Sequence, residues 1–142
     1  MQCSFVMKSD VECCRLDDTV AHAAQRMAAR NIGFVPIRER SGNVVGTLTD
    51  RDIVLRAVAV GLDPATTPIA DIYTHDVVAC SPEDDLTIAE ALMSRHKKSR
   101  ILCIDAENHL AGIISLSDVA IAETGRRASA LLRSISQRES HN

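Results

Sequence analysis

Hydrophobic and polar positions follow two patterns along this chain, one typical of strands and one typical of helices, and the same order of patterns occurs twice. Apolar runs of about four residues predict short strands, and apolar positions three and four residues apart predict helices that pack by one face. Each half of the chain reads in the order strand, helix, strand, strand, helix. The pattern therefore predicts an α/β (α+β) fold built from two β-α-β-β-α units.

Cap and turn residues bound the elements predicted in the first half. Asp17, Asp18 and Thr19 supply N-cap chemistry ahead of a helix that begins at Val20. Gly33 permits the left-handed conformation that ends this helix. The other predicted elements are a strand at 11–14, strands at 34–37 and 44–48, a helix at 53–58 and a linker at 61–68.

The second half repeats these elements. Ser81 as N-cap, with Pro82 at the first helical position, is a strong start signal for its first helix. Strands are predicted at 77–80, 101–104 and 110–114. In both halves the strand–helix–strand crossover makes two strands parallel, and a hairpin adds an antiparallel third.

The end of the chain departs from the repeat. From Thr124 on, the apolar spacing predicts an amphipathic helix that packs on the body or on a second chain, and residues 140–142 are expected to fray. We predict domains at 5–62 and 69–122, followed by a C-terminal helix and tail at 123–142. The apolar face of that helix consists of Ala128, Leu131, Leu132 and Ile135.

The two halves are copies of one another. A shift of 66 residues aligns them without a gap and places segment 46–53 (GTLTDRDI) on segment 112–119 (GIISLSDV). Because each half is near the size at which a hydrophobic core becomes marginal, we expect the halves to share one core. A site in either copy also predicts a counterpart in the other.

Composition narrows the classes of function. The net charge of −3 gives no general attraction to nucleic acid or to membranes, and three aromatic residues are too few for stacking single-stranded nucleic acid. No apolar run reaches the roughly 18 residues of a membrane span, and the N-terminus lacks a secretory signal. We expect a cytoplasmic protein. Nucleic-acid binding stays a minor alternative through Arg126, Arg127, Arg133 and Arg138.

The five cysteines and five histidines show no metal-ligand spacing. Cys13, Cys14 and Cys103 lie in apolar, strand-like segments. This placement is typical of buried thiols in a reducing cytoplasm, with a zinc or redox site as the alternative. We therefore predict no metal site.

A short motif occurs where a strand is predicted to pass into a helix. It reads Gly46-x-x-Thr49-x-x-Asp52, and the second copy repeats it at 112–118 as G-x-x-S-x-x-D. A hydroxyl three residues before a carboxylate is a helix capping box. The same geometry suits a nucleotide, since the helix start and hydroxyl can hold a phosphate and the carboxylate can accept ribose hydroxyls. Glycine lets the backbone approach closely. A ligand can use a cap, so the two interpretations are compatible.

With this motif at matching positions, residues 5–122 resemble a tandem pair of cystathionine-β-synthase (CBS) domains. The resemblance implies a pseudo-twofold pair of units, packed sheet to sheet, with two clefts that bind adenine nucleotides or related adenosyl ligands. It implies that Thr49 and Asp52 hold phosphate and ribose at one site, and that Ser115 and Asp118 do so at the other. The adenine walls would be Asp10, Val11, Gly33, Phe34, Val35 and Pro36 at the first site, and His75, Asp76, Val77, Ser99, Arg100, Ile101 and Leu102 at the second.

The two copies of the motif differ in charge. The first has Asp50 and Arg51 between Thr49 and Asp52, and Arg51 can reach a phosphate. The second has Leu116 and Ser117 at these positions, without a cation. These differences favour the first site.

The strongest basic run lies at 95–100 (RHKKSR). Cations at the end of a helix complement its dipole, which needs no ligand. Alternatively, Lys97, Lys98 or Arg100 neutralises phosphates, which would favour ATP over AMP as the ligand.

We therefore predict a regulatory module that binds AMP, ADP, ATP or a related adenosyl ligand and signals to a protein partner in trans. The resemblance also implies a homodimer, with the C-terminal helix as a candidate contact. The alternative function is a ligand-free dimerisation or protein-interaction module. No nucleophile–base pair, metal cluster or phosphate loop points to an enzyme.

Overall fold

Each half of the chain folds around a three-stranded sheet. The computed structural model describes residues 1–123 and 126–139, with side chains described over 1–123 and 129–137. It divides into two compact units. The first-copy unit comprises Val11–Val77, and the second-copy unit combines Met1–Asp10 with the chain from Val78 onward.

In the first-copy unit, the sheet has the order β1-β2-β3. Strand β1 pairs parallel with β2, and β2 pairs antiparallel with β3. The helix after β3 continues as a π-helical turn over Val54–Val58. The elements are β1 (Cys14–Arg15), α1 (Val20–Arg30), β2 (Phe34–Arg38), β3 (Val44–Thr49) and α2 (Asp50–Ile53).

The second-copy unit has the same parallel and antiparallel pairing, in the order β4-β5-β6. Its second and third strands and its first helix match those of the first unit at the shift of 66 residues, and its first strand begins one residue earlier. The predicted α/β class and the doubled β-α-β-β-α order are confirmed. The elements are β4 (Ala79–Cys80), α3 (Leu86–His96), β5 (Arg100–Ile104), β6 (Leu110–Ser115), α4 (Leu116–Ala122) and α5 (Arg126–Glu139).

The first strand of each unit is shorter than predicted. Cys14 and Arg15 alone find register partners on β2, and Ala79 and Cys80 alone find them on β5. A strand exists only where a neighbour supplies hydrogen bonds, so the predicted strands at 11–14 and 77–80 were too long and began too early.

Two predicted helix ends were wrong. Helix α1 ends at Asn31, whose φ of 53° is left-handed, and not at Gly33. Asparagine tolerates this conformation because its short polar side chain can bond locally. Helix α3 begins after Asp85, whose side chain accepts the Thr87 N–H, and not after Ser81. Residues 81–84 form a turn instead, closed by the Ser81 N–H on the Asp84 carboxylate at 2.9 Å.

Each unit encloses a hydrophobic cluster of its own, in contrast to the single shared core expected from the length. Helix α1 or α3 lies on one face of each sheet. The predicted apolar face of α1 supplies Val20, Ala23 and Met27 to the first-copy cluster, and that of α3 supplies Leu86 to the second-copy cluster. In the second-copy unit, Leu131 and Ile135 of α5 are 4% and 2% exposed and complete the cluster. This extra helix enlarges a core that would otherwise be small.

The segment that precedes each repeat packs on the other copy's unit. Residues 1–8 pack on the second-copy unit and end on β6, where Lys8 and Ile113 exchange two backbone hydrogen bonds of 2.9 Å. The aligned residues 67–74 pack on the first-copy unit and end on β3, where Thr74 and Thr47 make the same exchange. The compact units are therefore not divided at the boundaries of the sequence repeat.

The motif glycines lie directly beneath these segments. A Cβ atom at Gly112 would approach the Lys8 carbonyl oxygen to 2.7 Å, and one at Gly46 would meet the Thr74 carbonyl and the Tyr73 ring. The close approach predicted for these glycines therefore occurs, but to the chain's own backbone and not to a ligand. The physical requirement is the same, since both need the space of a missing side chain.

The predicted C-terminal helix is present, but its buried face is narrower than predicted. Leu132 is 43% exposed, because it points away from the cluster that holds Leu131 and Ile135. The hydroxyl of Ser134 accepts a hydrogen bond from the Lys97 ammonium at 2.8 Å and ties α5 to the end of α3. The predicted helix start at Thr124, the packing of Ala128 and the fraying of 140–142 lie outside the described residues.

Neighbouring leucines on α5 allow a matched test of this packing. We expect Leu131→Ala to lower the free energy of unfolding by about 3 kcal/mol, because it leaves a cavity in the cluster. Leu132→Ala, which removes the same atoms from a half-exposed site, should cost under about 1 kcal/mol. Urea unfolding of both variants measures the difference. Equal losses would contradict the docking of α5.

Among the helices of the described residues, none combines the length and the apolar character needed to span a bilayer.

Candidate functional site

Both copies of the motif form complete capping boxes. In the first-copy unit, the Asp52 N–H donates to Thr49 Oγ1 and the Thr49 N–H donates to Asp52 Oδ2, each at 3.0 Å. In the second-copy unit, the Asp118 N–H donates to Ser115 Oγ at 3.1 Å and the Ser115 N–H to Asp118 Oδ2 at 3.0 Å. The capping interpretation of the motif is therefore confirmed in both copies.

Each motif carboxylate keeps one oxygen outside the cap. Asp52 Oδ1 lies 3.9 Å from Arg56 Nε, and Asp118 Oδ1 lies 3.7 Å from Lys8 Nζ. The side chains of the two aspartates are only 15% and 11% exposed, while Lys8 is 76% exposed. Lys8 is a surface cation whose pairing with Asp118 contributes little, whereas Arg56 is held in place by hydrogen bonds to the Ile72 and Tyr73 carbonyls.

In each unit, a backbone hydrogen bond joins the residue before the second strand (β2 or β5) to the first residue of the motif helix. The Asp50 N–H donates to the Gly33 carbonyl at 3.0 Å, and the Leu116 N–H donates to the Ser99 carbonyl at 2.8 Å. The structure thereby brings together the predicted residues Gly33, Asp50 and Thr49. A Cβ atom at position 33 would approach Asp50 Oδ2 to 2.7 Å, but the exposed Asp50 side chain can move aside.

The second motif opens on a cavity of about 410 Å³ within its own unit. Three of the predicted residues, Ser99, Arg100 and Ser115, lie on its wall. The sequence interpretation missed Leu132, because the apolar spacing placed this residue on the buried face of α5. Ser117 and Ala120 were also missed, although their positions on the motif helix were a usable signal. The full lining is Ser99, Arg100, Ser115, Leu116, Ser117, Ala120 and Leu132.

Several predicted wall residues have side chains that belong to the cores. Val35 is fully buried, Ile101 is 1% exposed and Pro36 is buried as well. Any contact that these three residues make with a ligand must therefore come from their backbone. Phe34 is only half-buried and retains an accessible ring.

The segment 75–77 belongs to the first-copy unit, with Thr49 and Asp52, although the resemblance assigned His75 and Val77 to the second site. The His75 ring stacks on Tyr73, with 4.2 Å between ring centroids. Val11 is half-buried at the start of the same unit.

The basic run at 95–100 has a structural role at the end of α3. Lys97 adopts the left-handed cap conformation and its ammonium is bound to Ser134. The Lys98 N–H donates to the Met93 carbonyl at 3.0 Å and continues the cap. Arg100, in contrast, is exposed at the cavity wall. Helix capping thus accounts for much of this run, and Arg100 is the member placed to meet an anion.

The cysteines behave as buried thiols. Cys80 Sγ lies 3.5 Å from Cys103 Sγ and 3.7 Å from Cys3 Sγ, inside the second-copy cluster. Burial raises the pKa of Cys3 to about 12 and that of Cys14 to about 11. Such thiols are protonated at neutral pH and therefore poor nucleophiles and ligands.

Within the described residues, one group of side chains has the spacing of a metal site. Atoms of Asp105, Glu107 and His109 lie within 4.8 Å of one another on the β5–β6 hairpin. Asp105 Oδ1 already accepts the N–H groups of Glu107 and His109, at 3.0 and 2.9 Å. The carboxylate thus has a sufficient role in closing the turn.

Comparison with known proteins matches this architecture. The family model described as CBS domain matches residues 3–58 and 69–125. The CBS domain-containing protein YhcV of Bacillus subtilis is 35% identical over 126 residues, which are 88% of each chain. Hypoxic response protein 1 of Mycobacterium tuberculosis is 31% identical over 115 residues, or 81% of this chain and 80% of that one.

Solved structures of other proteins have a similar fold. A crystal structure of hypoxic response protein I with two coordinated zinc ions has a TM-score of 0.79 and 29% identity, and covers 87% of this chain and 100% of that one. The CBS domain protein PAE2072 of Pyrobaculum aerophilum, complexed with AMP, has a TM-score of 0.74 and 22% identity over 96% of this chain and 99% of that one. The chain therefore belongs to the CBS domain family and carries two of these domains in tandem.

Proposed function

We propose that this protein is a non-catalytic regulatory module that binds an adenine nucleotide or a related adenosyl ligand and signals its bound state to a protein partner in trans. The cavity of about 410 Å³ at Ser115 and Arg100 is the observation that carries the proposal. Family membership supports it, as does the AMP held by the neighbour from Pyrobaculum aerophilum.

The chemistry of the second motif suits a nucleotide in a definite orientation. Ser115 Oγ accepts the Asp118 N–H and is hydrogen-bonded to Ser117 Oγ at 2.9 Å, which leaves one of the two hydroxyls free to donate to a phosphate. The Arg100 guanidinium on the same wall supplies charge and paired donors. Asp118 lies on the motif helix but not in the cavity lining, and we propose that its Oδ1, outside the cap, accepts bonds from the ribose hydroxyls. Leu116, Ala120 and Leu132 add apolar surface to the lining.

We propose that the second motif is the tighter site for phosphate-rich ligands, although the sequence favoured the first. The lining residues of its cavity include Arg100 and no carboxylate. In the first-copy unit, by contrast, the Asp50 carboxylate lies against Gly33 at the equivalent position. A carboxylate at that point repels a phosphate and offsets the charge of Arg51. We therefore propose ATP or ADP for the second motif and AMP for the first.

Leu132 connects the cavity to the C-terminal helix. It lines the cavity, while its neighbours Leu131 and Ile135 anchor α5 in the core. A ligand in the cavity would therefore touch the same helix that completes the second-copy cluster. We propose that α5 is the element through which occupancy reaches a partner. From the family resemblance we also propose a homodimer, which sedimentation velocity measures directly.

Thermal melts of the nucleotide-stripped protein test the proposed ligand class. AMP, ADP, ATP and S-adenosylmethionine are titrated separately. A ligand at a hundred times its Kd adds about 2.7 kcal/mol of stability, which is a shift of several degrees for a domain of this size. We expect a saturable shift with at least one adenine ligand, and a smaller shift in Arg100→Gln. No shift with any of them would favour the ligand-free interaction module.

A further inference from the structure

Three arginines converge at one end of the first-copy sheet. Arg15 and Arg38 are register partners on the parallel strands β1 and β2, and Arg40 follows in the hairpin. All three line a cavity of about 410 Å³. A smaller cavity of about 250 Å³, which also contains Cys13 and Gly42, shares the same three side chains.

Among the residues that the structure describes, no ion pair holds this cluster, although two carboxylates on the same wall offset part of its charge. Over the described residues, no carboxylate lies within ion-pairing distance of the three guanidinium groups. Of the two acids on the wall, Glu39 already accepts the Ser41 hydroxyl at 2.8 Å, and Asp17 is exposed. The lining therefore carries three positive and two negative side chains, with the positive groups unpaired.

Arg38 has an unmet hydrogen-bonding requirement. Its Nε is buried and has no hydrogen-bond partner within the described part of the chain. A buried N–H group normally finds a partner, so the lack of one means that no bond at Nε holds the Arg38 side chain in place. Burial raises the pKa of the adjacent Cys13 thiol, and the Arg38 guanidinium beside it opposes this rise through its charge and a side-chain hydrogen bond.

The repeat shows that the fold does not require these arginines. At the same positions the second copy has Ser81, Ile104 and Ala106, and its sheet keeps the same strand order, although Ser81 lies just outside β4. The cluster is also remote from the motif of its own unit. Thr49 pairs with Phe34 at the start of β2, whereas Arg38 is at the other end, about 13 Å away at roughly 3.3 Å per residue.

We infer that Arg15, Arg38 and Arg40 form a second ligand site, separate from the motif, for the phosphate group of a small phosphorylated anion. Guanidinium groups match phosphate oxygens with paired donors, and register-paired arginines on adjacent strands place two such forks side by side. A cavity of this volume can hold a small metabolite. Its lining holds no aromatic ring, so it offers no surface on which adenine could stack.

Titration with inorganic pyrophosphate, followed by amide NMR of the full chain at fixed ionic strength, tests this site. The amides of Ser41 and Gly42 report on the arginine cluster, and that of Ser117 reports separately on the second motif. We expect a saturable shift of the Ser41 and Gly42 signals. Arg38→Gln should weaken the affinity measured there by about tenfold or more, whereas Arg95→Gln, which removes an exposed charge elsewhere, should leave it unchanged.

Two results would overturn the inference. One is the absence of a pyrophosphate-dependent shift at Ser41 and Gly42 in the wild type. The other is an unaltered affinity at these amides in Arg38→Gln. Arg40→Gln provides a second variant at an exposed position, where folding is not at risk, and should also weaken binding. If nucleotide titration leaves the Ser117 amide signal unchanged, the proposed function is contradicted, but the inference about the arginine site is not affected.

Discussion

Asp118→Ala is expected to weaken adenine-nucleotide binding at the second motif by about tenfold or more, which is roughly 1.4 kcal/mol. The carboxylate is sheltered at 11% exposure, and the oxygen outside the cap is the proposed partner of the ribose hydroxyls. Its loss leaves those hydroxyls without an acceptor inside the complex, which costs more than a solvent-exposed bond would. Calorimetric titration of the variant measures the change.

The same substitution should also lower stability, because it removes half of the capping box at Ser115. We expect a loss of about 1 kcal/mol from this cause. Asp105→Ala is the matched control, since the Asp105 carboxylate likewise accepts backbone N–H groups, two against one for Asp118, but lies in a hairpin turn away from the cavity lining. It should lower stability similarly and leave affinity unchanged. If Asp118→Ala binds as tightly as the wild type, Asp118 is a cap and not a ligand.

Gly46→Ala is expected to lower the free energy of unfolding by about 3 kcal/mol, through overpacking. The new methyl group would overlap the Thr74 carbonyl and the Tyr73 ring, and backbone cannot move aside as a flexible side chain can. Relief of the overlap would separate residue 74 from β3 and break its two hydrogen bonds with Thr47. The melting temperature should fall by roughly 10 °C.

Gly61→Ala separates this overlap from the loss of backbone freedom. Gly61 has a φ of 81°, so alanine there is strained, but no atom lies within 4 Å of the added methyl group. We expect a loss of about 1 to 2 kcal/mol from strain alone. Urea unfolding compares the two variants. A Gly46→Ala variant no less stable than Gly61→Ala would mean that the end of segment 67–74 does not lie on β3.

The pattern of the chain predicted its elements well and their ends poorly. Alternation and helical spacing are properties of a whole segment, so the doubled β-α-β-β-α order was visible before the structure. Helix ends depend on which of several competent residues is used. Asn31 and Gly33 can both adopt the left-handed cap, and Ser81 and Asp85 can both cap a helix start. Packing of the helix on its sheet selects one of each pair.

The residues of the candidate site also divide into those that the sequence predicted and those that it did not. Thr49, Asp52, Ser115 and Asp118 were predicted because their roles are local and their spacing is set by one helical turn. Leu132 was assigned to the wrong face, since the heptad-like spacing cannot distinguish Leu131 from its neighbour. The arginine cluster could not be predicted at all, because the pairing of Arg15 with Arg38 depends on the register of two strands separated by a helix.

By itself, then, the sequence determined the repeat, the class of fold, the caps of the motif and the family. These are encoded by periodicity and by contacts within a few residues, which do not depend on the rest of the chain. The tertiary structure decided the rest. It placed the ends of segments 1–8 and 67–74 on the strands that need Gly112 and Gly46, docked α5 beside the cavity at Ser115, and gathered three arginines at the end of one sheet. Contacts between distant segments depend on how the whole molecule satisfies burial and hydrogen bonding. A local sequence pattern does not contain that information.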